Sequence, residues 1–212
     1  MTSTYLLRHG KSKVNGTDVI NGRNSHAELD RPVGRDQAIL AGRWLLRHSV
    51  LPDAIIASPA TRTLHTTVLV MDELGMSGQT FQIDSRLQEI SQGAAEGRLR
   101  SEMWTPEMIA ARDRDPYNFA FPGGETVGEV VQRMLGWLHD IESRHPTGTV
   151  LVGAHGLATR ALISHIIGRR VADHETPNCS LTLIESIGDE RRVPYIGRDI
   201  IAEQLAFEQQ KV

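Results

Sequence analysis

The sequence has little cysteine, little lysine and no long apolar run, and each shortage narrows the range of functions. Its 212 residues include one cysteine, Cys179, which excludes an intramolecular disulfide and a metal site built from several cysteines. A single thiol suits a reducing compartment, and no apolar run approaches the roughly 18 residues that a membrane helix needs. The amino-terminal segment also lacks the basic and apolar regions of a secretory signal. We therefore expect a cytoplasmic protein with no membrane partner.

The charge balance argues against a nucleic-acid partner. The formal net charge is −3, whereas proteins that bind nucleic acid along their surface are usually basic. The basic residues are 20 arginines and only three lysines, and two of these lysines, Lys11 and Lys13, lie close to His9. Apolar residues make up 40% and charged residues 23%, an ordinary globular mixture, so the length predicts one domain over residues 1–212.

Short apolar runs alternate with helical patterns along the chain. Strands are predicted at Thr4–Leu7, Ala54–Ala57, Thr149–Val152 and Leu181–Ile184, with a weaker one near Phe81–Ile83. Helices are predicted at Pro32–His48, from a Ser58 N-cap to about Leu74, at Thr126–Glu142, and at Leu157–Ile167, which is apolar nearly all round. This alternation predicts an α/β fold with a largely parallel sheet, from which residues 88–125 form an excursion of loops and short helices.

The strand ends gather the residues that could bind an anion. The first strand leads into Arg8, His9 and Gly10, the second into a segment containing Arg62, and the fourth into His155 and Gly156. Ligands of α/β sheets collect at the carboxyl ends of the strands, where helix N-termini also point their N–H groups. Arginine side chains at such a place predict a phosphate pocket.

Other phosphate chemistries fit the sequence poorly. Gly10-Lys11-Ser12 resembles the end of a P-loop, but the first glycine of that motif would fall at Tyr5. Cys179 is followed by a strand instead of a phosphate-cradling loop, and no apolar strand precedes Asp113 and Asp115. Histidine is the remaining nucleophile.

Five ordered motifs resemble the histidine phosphatases, also called the phosphoglycerate mutase-like superfamily. The resemblance extends from about Tyr5 to Leu183. The motifs are Leu7-Arg8-His9-Gly10 with Asn15, Ser58-Pro59-Ala60-Thr61-Arg62 with Thr66, Leu87-Gln88-Glu89 with Glu96-Gly97, Pro122-Gly123-Gly124-Glu125-Thr126, and Val152-Gly153-Ala154-His155-Gly156.

The resemblance implies a three-layer α/β/α fold and a phosphohistidine mechanism. His9 would be the nucleophile, Glu89 the proton donor and His155 a further catalytic residue. The phosphate would be held by Arg8, Arg62, Asn15 and Gly156. It further implies a histidine acid-type phosphatase that acts on a small phosphorylated metabolite and requires neither a metal nor a cofactor.

Departures from the family pattern leave the substrate and the assembly open. Lys11 stands where glutamate or glutamine usually follows the R-H-G motif, so Lys11, Arg23 or His26 could contact an anionic substrate. Trp104 in the excursion could line a pocket or a homodimer contact. Two alternatives remain: a phosphoglycerate-type mutase that uses the same histidine, and a catalytically idle protein that binds a phosphorylated ligand.

Overall fold

The computed structural model describes residues 1–24 and 27–210, which form six strands and seven α-helices. The strands are β1 (Thr2–Arg8), β2 (Ala54–Ala57), β3 (Gln82–Ile83), β4 (Gly148–Ala154), β5 (Leu181–Ile187) and β6 (Glu190–Arg198). The helices are α1 (Val33–Arg47), α2 (Thr61–Glu73), α3 (Arg100–Met103), α4 (Pro106–Arg114), α5 (Val127–Arg144), α6 (Gly156–Ile167) and α7 (Ile200–Gln209). No described helix has the length and apolar character needed to cross a membrane.

One sheet with the strand order β3-β2-β4-β1-β5-β6 organises the fold. The first four strands of this order pair in parallel, whereas β5 and β6 are antiparallel to their neighbours. The predicted α/β class with a mostly parallel sheet is therefore confirmed. In the register of the central strands, Arg8 lies opposite Ala154 and Ala57 lies opposite Gly153. The segments that follow β1, β2 and β4 consequently emerge at one edge of the sheet.

Two apolar cores separate the sheet from its helices and give the three layers. On one face, Val152 and its neighbours pack against α5 and α6, with Trp137 and Leu162 fully buried. On the other face, Leu7 and Leu151 pack with residues of α1, α2 and α7. Because apolar side chains leave both faces of the central strands, these strands are buried on both sides, as parallel strands generally are.

The carboxyl-terminal part contains a strand and a helix that the sequence patterns do not predict. β6 pairs with β5 at one edge of the sheet and contains Pro194, which has no N–H to donate. An edge strand tolerates proline, but proline together with the charged residues Glu190, Arg191 and Arg192 hides the strand pattern. α7 follows at once, and the Asp199 side chain caps it by accepting the Ala202 N–H.

The segment from 88 to 125 is joined to the loop that follows β1. Ile20 donates its N–H to Arg98 O, and Arg100 donates its N–H to Asp18 O at 2.7 Å. A small apolar cluster that includes Ile20 and Phe121 packs beneath this junction, with Trp104 stacked on Phe119. These contacts hold α3 and Trp104 beside the sheet edge where β1, β2 and β4 end.

Candidate active site

His9 follows β1 directly, and its ring is fixed in one tautomer. Its Nδ1 lies 2.8 Å from the carbonyl oxygen of Gly10, and because a carbonyl only accepts, Nδ1 carries the proton. The lone pair is therefore on Nε2, which lies 3.2 Å from Arg62 Nε. The side chain is 3% exposed and lies at the wall of a pocket. This is the arrangement of a neutral imidazole ready to act as a nucleophile.

Arg62, in the first turn of α2, connects His9 to His155 and to the loop after β1. Its guanidinium donates to Gly22 O at 3.1 Å, to Asn24 O at 2.8 Å and to His155 Nδ1 at 3.2 Å. The residue is 1% exposed, and burial lowers the pKa of the guanidinium while Glu89 opposes that shift. A positive charge is thus held rigidly beside both rings.

His155 follows β4 directly, and one of its ring nitrogens bonds to Ser58, a residue for which the sequence predicts a different role. Because Nδ1 accepts from Arg62, Nε2 carries the proton and donates to Ser58 Oγ at 2.7 Å. The predicted capping role of Ser58 is wrong: α2 begins at Thr61, with Ala60 at the N-cap position and no side-chain cap. Ser58 instead fixes the tautomer and orientation of His155.

Arg8 provides a buried donor that has no partner. Its Nη1 donates to Thr176 O, whereas its Nε finds no hydrogen-bond partner within residues 1–24 and 27–210. A Cβ at Gly156 would come within 3.3 Å of that Nε, so the glycine leaves the space in which Arg8 lies. An unsatisfied guanidinium N–H at the pocket wall is a strong donor for an anionic oxygen.

Asn15 is held by its carbonyl oxygen, which leaves its amide group to the pocket. Oδ1 accepts from Ser12 N at 2.9 Å and from Ser12 Oγ at 3.0 Å. Asn178 donates to the same oxygen at 3.4 Å and to the His9 carbonyl at 3.0 Å. Since Asn15 lines the pocket, its two amide hydrogens are available there.

The Glu89 carboxylate lies at the N-terminus of α6. Its oxygens accept the N–H groups of Leu157 at 3.1 Å and Ala158 at 2.9 Å, and also that of Ile90 at 3.0 Å. The N–H groups of Leu157 and Ala158 belong to the first turn of the helix, where they lack partners within the helix and attract a negative charge. Glu89 also lines the pocket, so it is a carboxylate at hydrogen-bonding reach of a bound molecule.

A charged cluster behind Glu89 holds its main chain in place. Arg23 Nε donates to the Glu89 carbonyl at 3.1 Å, and Arg133 donates to the same carbonyl at 3.2 Å. Glu125 pairs with both arginines and also accepts the Ser91 N–H. The pKa of Glu125 lies below its usual value because these donors outweigh the effect of burial. Arg23 therefore positions Glu89.

The residues suggested for substrate contact are only partly brought to the pocket. Lys11 is absent from the described pocket wall because its ammonium pairs with Asp30 at 3.2 Å on the outer side of the loop. Arg23 is likewise absent from the described wall, since its guanidinium is taken up by Glu89 O and Glu125. The suggested contact of His26 lies outside the described residues.

The pocket has a volume of about 240 Å³, and its wall includes residues that the sequence patterns do not predict. They are Asn21, Gln92, Arg100 and Arg160. Trp104, for which the sequence suggests either a pocket wall or a dimer contact, also lines the pocket. None of these residues belongs to a recognisable local motif, because they reach the pocket only through the fold. Among the described residues, no group of three or more histidine, cysteine or carboxylate side chains could hold a metal ion.

The burial of His9 and His155 has a consequence for stability. Burial is the main reason that the pKa of each ring lies well below its usual value, with Arg62 adding to it in both cases. Both rings therefore stay neutral in the folded protein at a pH where the unfolded chain already binds protons. Below about pH 6.5 the free energy of unfolding should fall by roughly 1.4 kcal/mol per pH unit for each histidine, until the lower folded-state pKa is reached.

Chemical denaturation at a series of pH values in phosphate-free buffer measures this effect. We expect His9→Gln to show a shallower loss of stability between pH 6.5 and acid than the wild type, whereas His139→Gln, at an exposed position, should keep the wild-type slope. Equal slopes for wild type and His9→Gln would contradict the buried neutral histidine.

Comparisons with known proteins identify the family and the fold. A family model described as the histidine phosphatase superfamily, branch 1, matches residues 4–198. Phosphoserine phosphatase 1 of Hydrogenobacter thermophilus is 29% identical over 170 residues, covering 79% of this chain and 77% of the relative. A 2,3-bisphosphoglycerate-dependent phosphoglycerate mutase of Methylorubrum extorquens is 32% identical over 168 residues, covering 77% and 78%. The solved structure of Bacillus stearothermophilus YhfR superposes with a TM-score of 0.82 at 29% identity, covering 95% of this chain and all of the other.

Proposed function

The chain belongs to branch 1 of the histidine phosphatase superfamily, and from that premise we propose that it hydrolyses a small phosphomonoester through a phosphohistidine at His9. The observation that carries the proposal is the fixed tautomer of His9, whose unprotonated Nε2 lies 3.2 Å from Arg62 in the pocket. The relatives named above include both phosphatases and phosphoglycerate mutases, which fit the same histidine chemistry.

Binding would begin with the phosphoryl oxygens. The unpartnered Nε of Arg8 and the amide of Asn15 would donate to them, and Arg62 would transfer its Nε–H from His9 to a phosphoryl oxygen. That exchange releases the His9 lone pair at the moment when phosphorus arrives opposite it. The start of α6 at Gly156 adds the positive end of a helix dipole for the charge that develops on those oxygens, and the neutral His155 ring would keep Arg62 in position.

The reaction would then proceed in two transfers. In the first, His9 Nε2 bonds to phosphorus while the bond from phosphorus to the ester oxygen breaks, and Glu89 protonates the departing alkoxide. In the second, Glu89 takes a proton from water, the water oxygen bonds to phosphorus and the bond to His9 breaks. Phosphate leaves, and Glu89 has regained its proton. In both transfers, every catalytic group is a side chain of the protein, so we propose that no metal is needed.

Release of inorganic phosphate from p-nitrophenyl phosphate tests the proposal. We expect turnover that is unchanged by EDTA, because Arg8 and Arg62 supply the positive charge that a metal ion would otherwise provide. Loss of activity on chelation, restored by a divalent cation, would contradict metal independence.

A mutase remains the second candidate because of the 32% identity to the Methylorubrum enzyme. In that case, His9 would return the phosphoryl group to a bound sugar acid, and isomerisation of phosphoglycerate would depend on a bisphosphate primer. Tight binding of phosphorylated compounds without any turnover would instead favour a binding protein.

A further inference from the structure

A second cavity adjoins the active-site pocket along one face of α6. It has a volume of about 750 Å³, against about 240 Å³ for the pocket around His9. Leu157 and Arg160 line both spaces, so the two adjoin at this helix. The inner pocket is small for a whole metabolite, whereas the second cavity has the size of an ordinary ligand site.

The α6 sequence places a continuous row of side chains between the two spaces. Gly156, Arg160 and Ser164 recur at intervals of four, and residues with this spacing lie on one face of a helix. Eight residues of helix rise by about 12 Å, which is the reach from the phosphate end of the row to Ser164. The expectation from sequence that this helix is apolar nearly all round holds for its buried residues Ala158, Leu162 and Ile163, and this row is its polar exception.

Two polar groups along the row have no partner. Ser164 is 4% exposed, yet its hydroxyl makes no hydrogen bond in the described part of the chain. The Nε of Arg160 is also buried without a partner there, although Arg160 Nη1 donates to His174 O at 3.3 Å. Buried polar groups in proteins are nearly always hydrogen-bonded, so these two point to a ligand.

The charge around the second cavity is positive. Arg160, Arg169 and Arg170 line it, and no salt bridge engages any of them among residues 1–24 and 27–210. The carboxylate that lines it, Asp113, is already paired with Arg112 at 2.7 Å. The remaining wall is largely apolar, with Val127, Leu157 and Ala161.

We propose that this cavity binds the alcohol part of the substrate, which would be an elongated phosphomonoester with an apolar middle and a second anionic group. The inference rests on the proposed function, because it assigns the leaving group of the reaction at His9. The second anion would be bound by the Ser164 hydroxyl and by Arg169, whose backbone N–H donates to the Ser164 carbonyl at 2.9 Å, whereas Arg160, at the junction of the two spaces, would contact the ester end of the molecule. Charge-assisted hydrogen bonds of this kind give the selectivity between long and short esters.

A pair of synthetic esters tests the proposal: phosphooxydecanoate, which is long and carboxylated, and phosphooxypropionate, which is short. The quantity measured is the ratio of kcat/KM for the long ester to that for the short one. In the wild type we expect a ratio of at least about 10, and decyl phosphate, which lacks the carboxylate, should lose most of that advantage.

Two variants and two matched controls locate the effect. Ala172→Trp fills the cavity from an exposed position and should bring the ratio close to one, and Arg169→Gln should lower it by removing the charge that would bind the second anion. Ala206→Trp and Arg98→Gln, at exposed positions that do not line the cavity, should leave the ratio unchanged.

A wild-type ratio near one, or a high ratio that Ala172→Trp does not reduce, would overturn the inference. In either case, hydrolysis of the short ester would leave the proposed function standing. If the wild type hydrolyses p-nitrophenyl phosphate but neither ester, this inference alone is overturned, whereas failure on all three compounds would overturn both.

Discussion

Replacing His9 by alanine is expected to lower kcat/KM for p-nitrophenyl phosphate by a factor of about 10⁵, because no other group can form the covalent intermediate. Because the Gly10 carbonyl binds the protonated Nδ1 of His9, the Nε2 atom is unprotonated and has a free lone pair for attack on phosphorus. The Arg62 guanidinium donates to this Nε2. Initial rates at saturating and subsaturating substrate measure the loss.

The control for His9 is a histidine that lies away from the pocket. His139 is exposed on α5, and His139→Ala should keep wild-type kinetics. Circular dichroism and phosphate binding establish that His9→Ala is folded. Retention of more than about a tenth of the wild-type activity by folded His9→Ala would contradict the nucleophilic role.

Replacing Arg62 by lysine is expected to lower kcat/KM by about 10²- to 10³-fold even though the charge is conserved. The guanidinium bonds at once to His9, His155 and two backbone carbonyls, of Gly22 and Asn24. An ammonium group cannot reproduce that planar set of donors, so both the orientation of His9 and the grip on phosphoryl oxygens should suffer. Steady-state kinetics and vanadate inhibition measure the two losses separately.

Arg43→Lys is the matched control, since Arg43 pairs with Glu73 on the outer face of α1. It should leave kcat and KM at their wild-type values. A change of less than about tenfold in Arg62→Lys would show that charge alone suffices at this position, against the role given to the guanidinium geometry.

Some residues of the site could be predicted from strand ends, and Asn15 and Glu89, which also line the pocket, could be predicted from the motif resemblance. Arg8, His9 and His155 each stand within two residues of the end of a parallel strand, so the topology of the sheet brings them together once the strands are recognised. Arg62 lies one residue into α2, at the first turn of the helix that follows β2. For these residues, recognising the strand or the helix start in the sequence is enough to predict their position at the site.

The rest of the site depends on contacts between distant segments. Arg160 lines the active-site pocket because α6 passes between this pocket and the second cavity. Arg100 reaches the pocket because its backbone N–H bonds to the loop after β1. Ser58 carries a capping signature, yet the hydrogen bond from His155 determines its role. Lys11 is adjacent in sequence to the R-H-G motif but pairs with Asp30 on the outside. Sequence proximity therefore misleads where the chain turns sharply.

The net charge of the whole protein conceals the character of the site. The chain is slightly acidic, with a formal charge of −3, but four arginines line the pocket around His9, namely Arg8, Arg62, Arg100 and Arg160. The carboxylate that lines it, Glu89, is already bonded to three backbone N–H groups. An anionic substrate thus meets a positive field that the composition alone would not predict.

Trapping the phosphorylated enzyme tests the central claim most directly. Wild-type protein mixed with a labelled phosphomonoester, quenched under alkaline conditions within milliseconds and digested, should give one acid-labile phosphopeptide that contains His9 phosphorylated on Nε2. The label should be absent from His9→Ala and should disappear from the wild type as free phosphate is released. Phosphate release at the full rate without any labelled His9, or label on another residue, would contradict the mechanism.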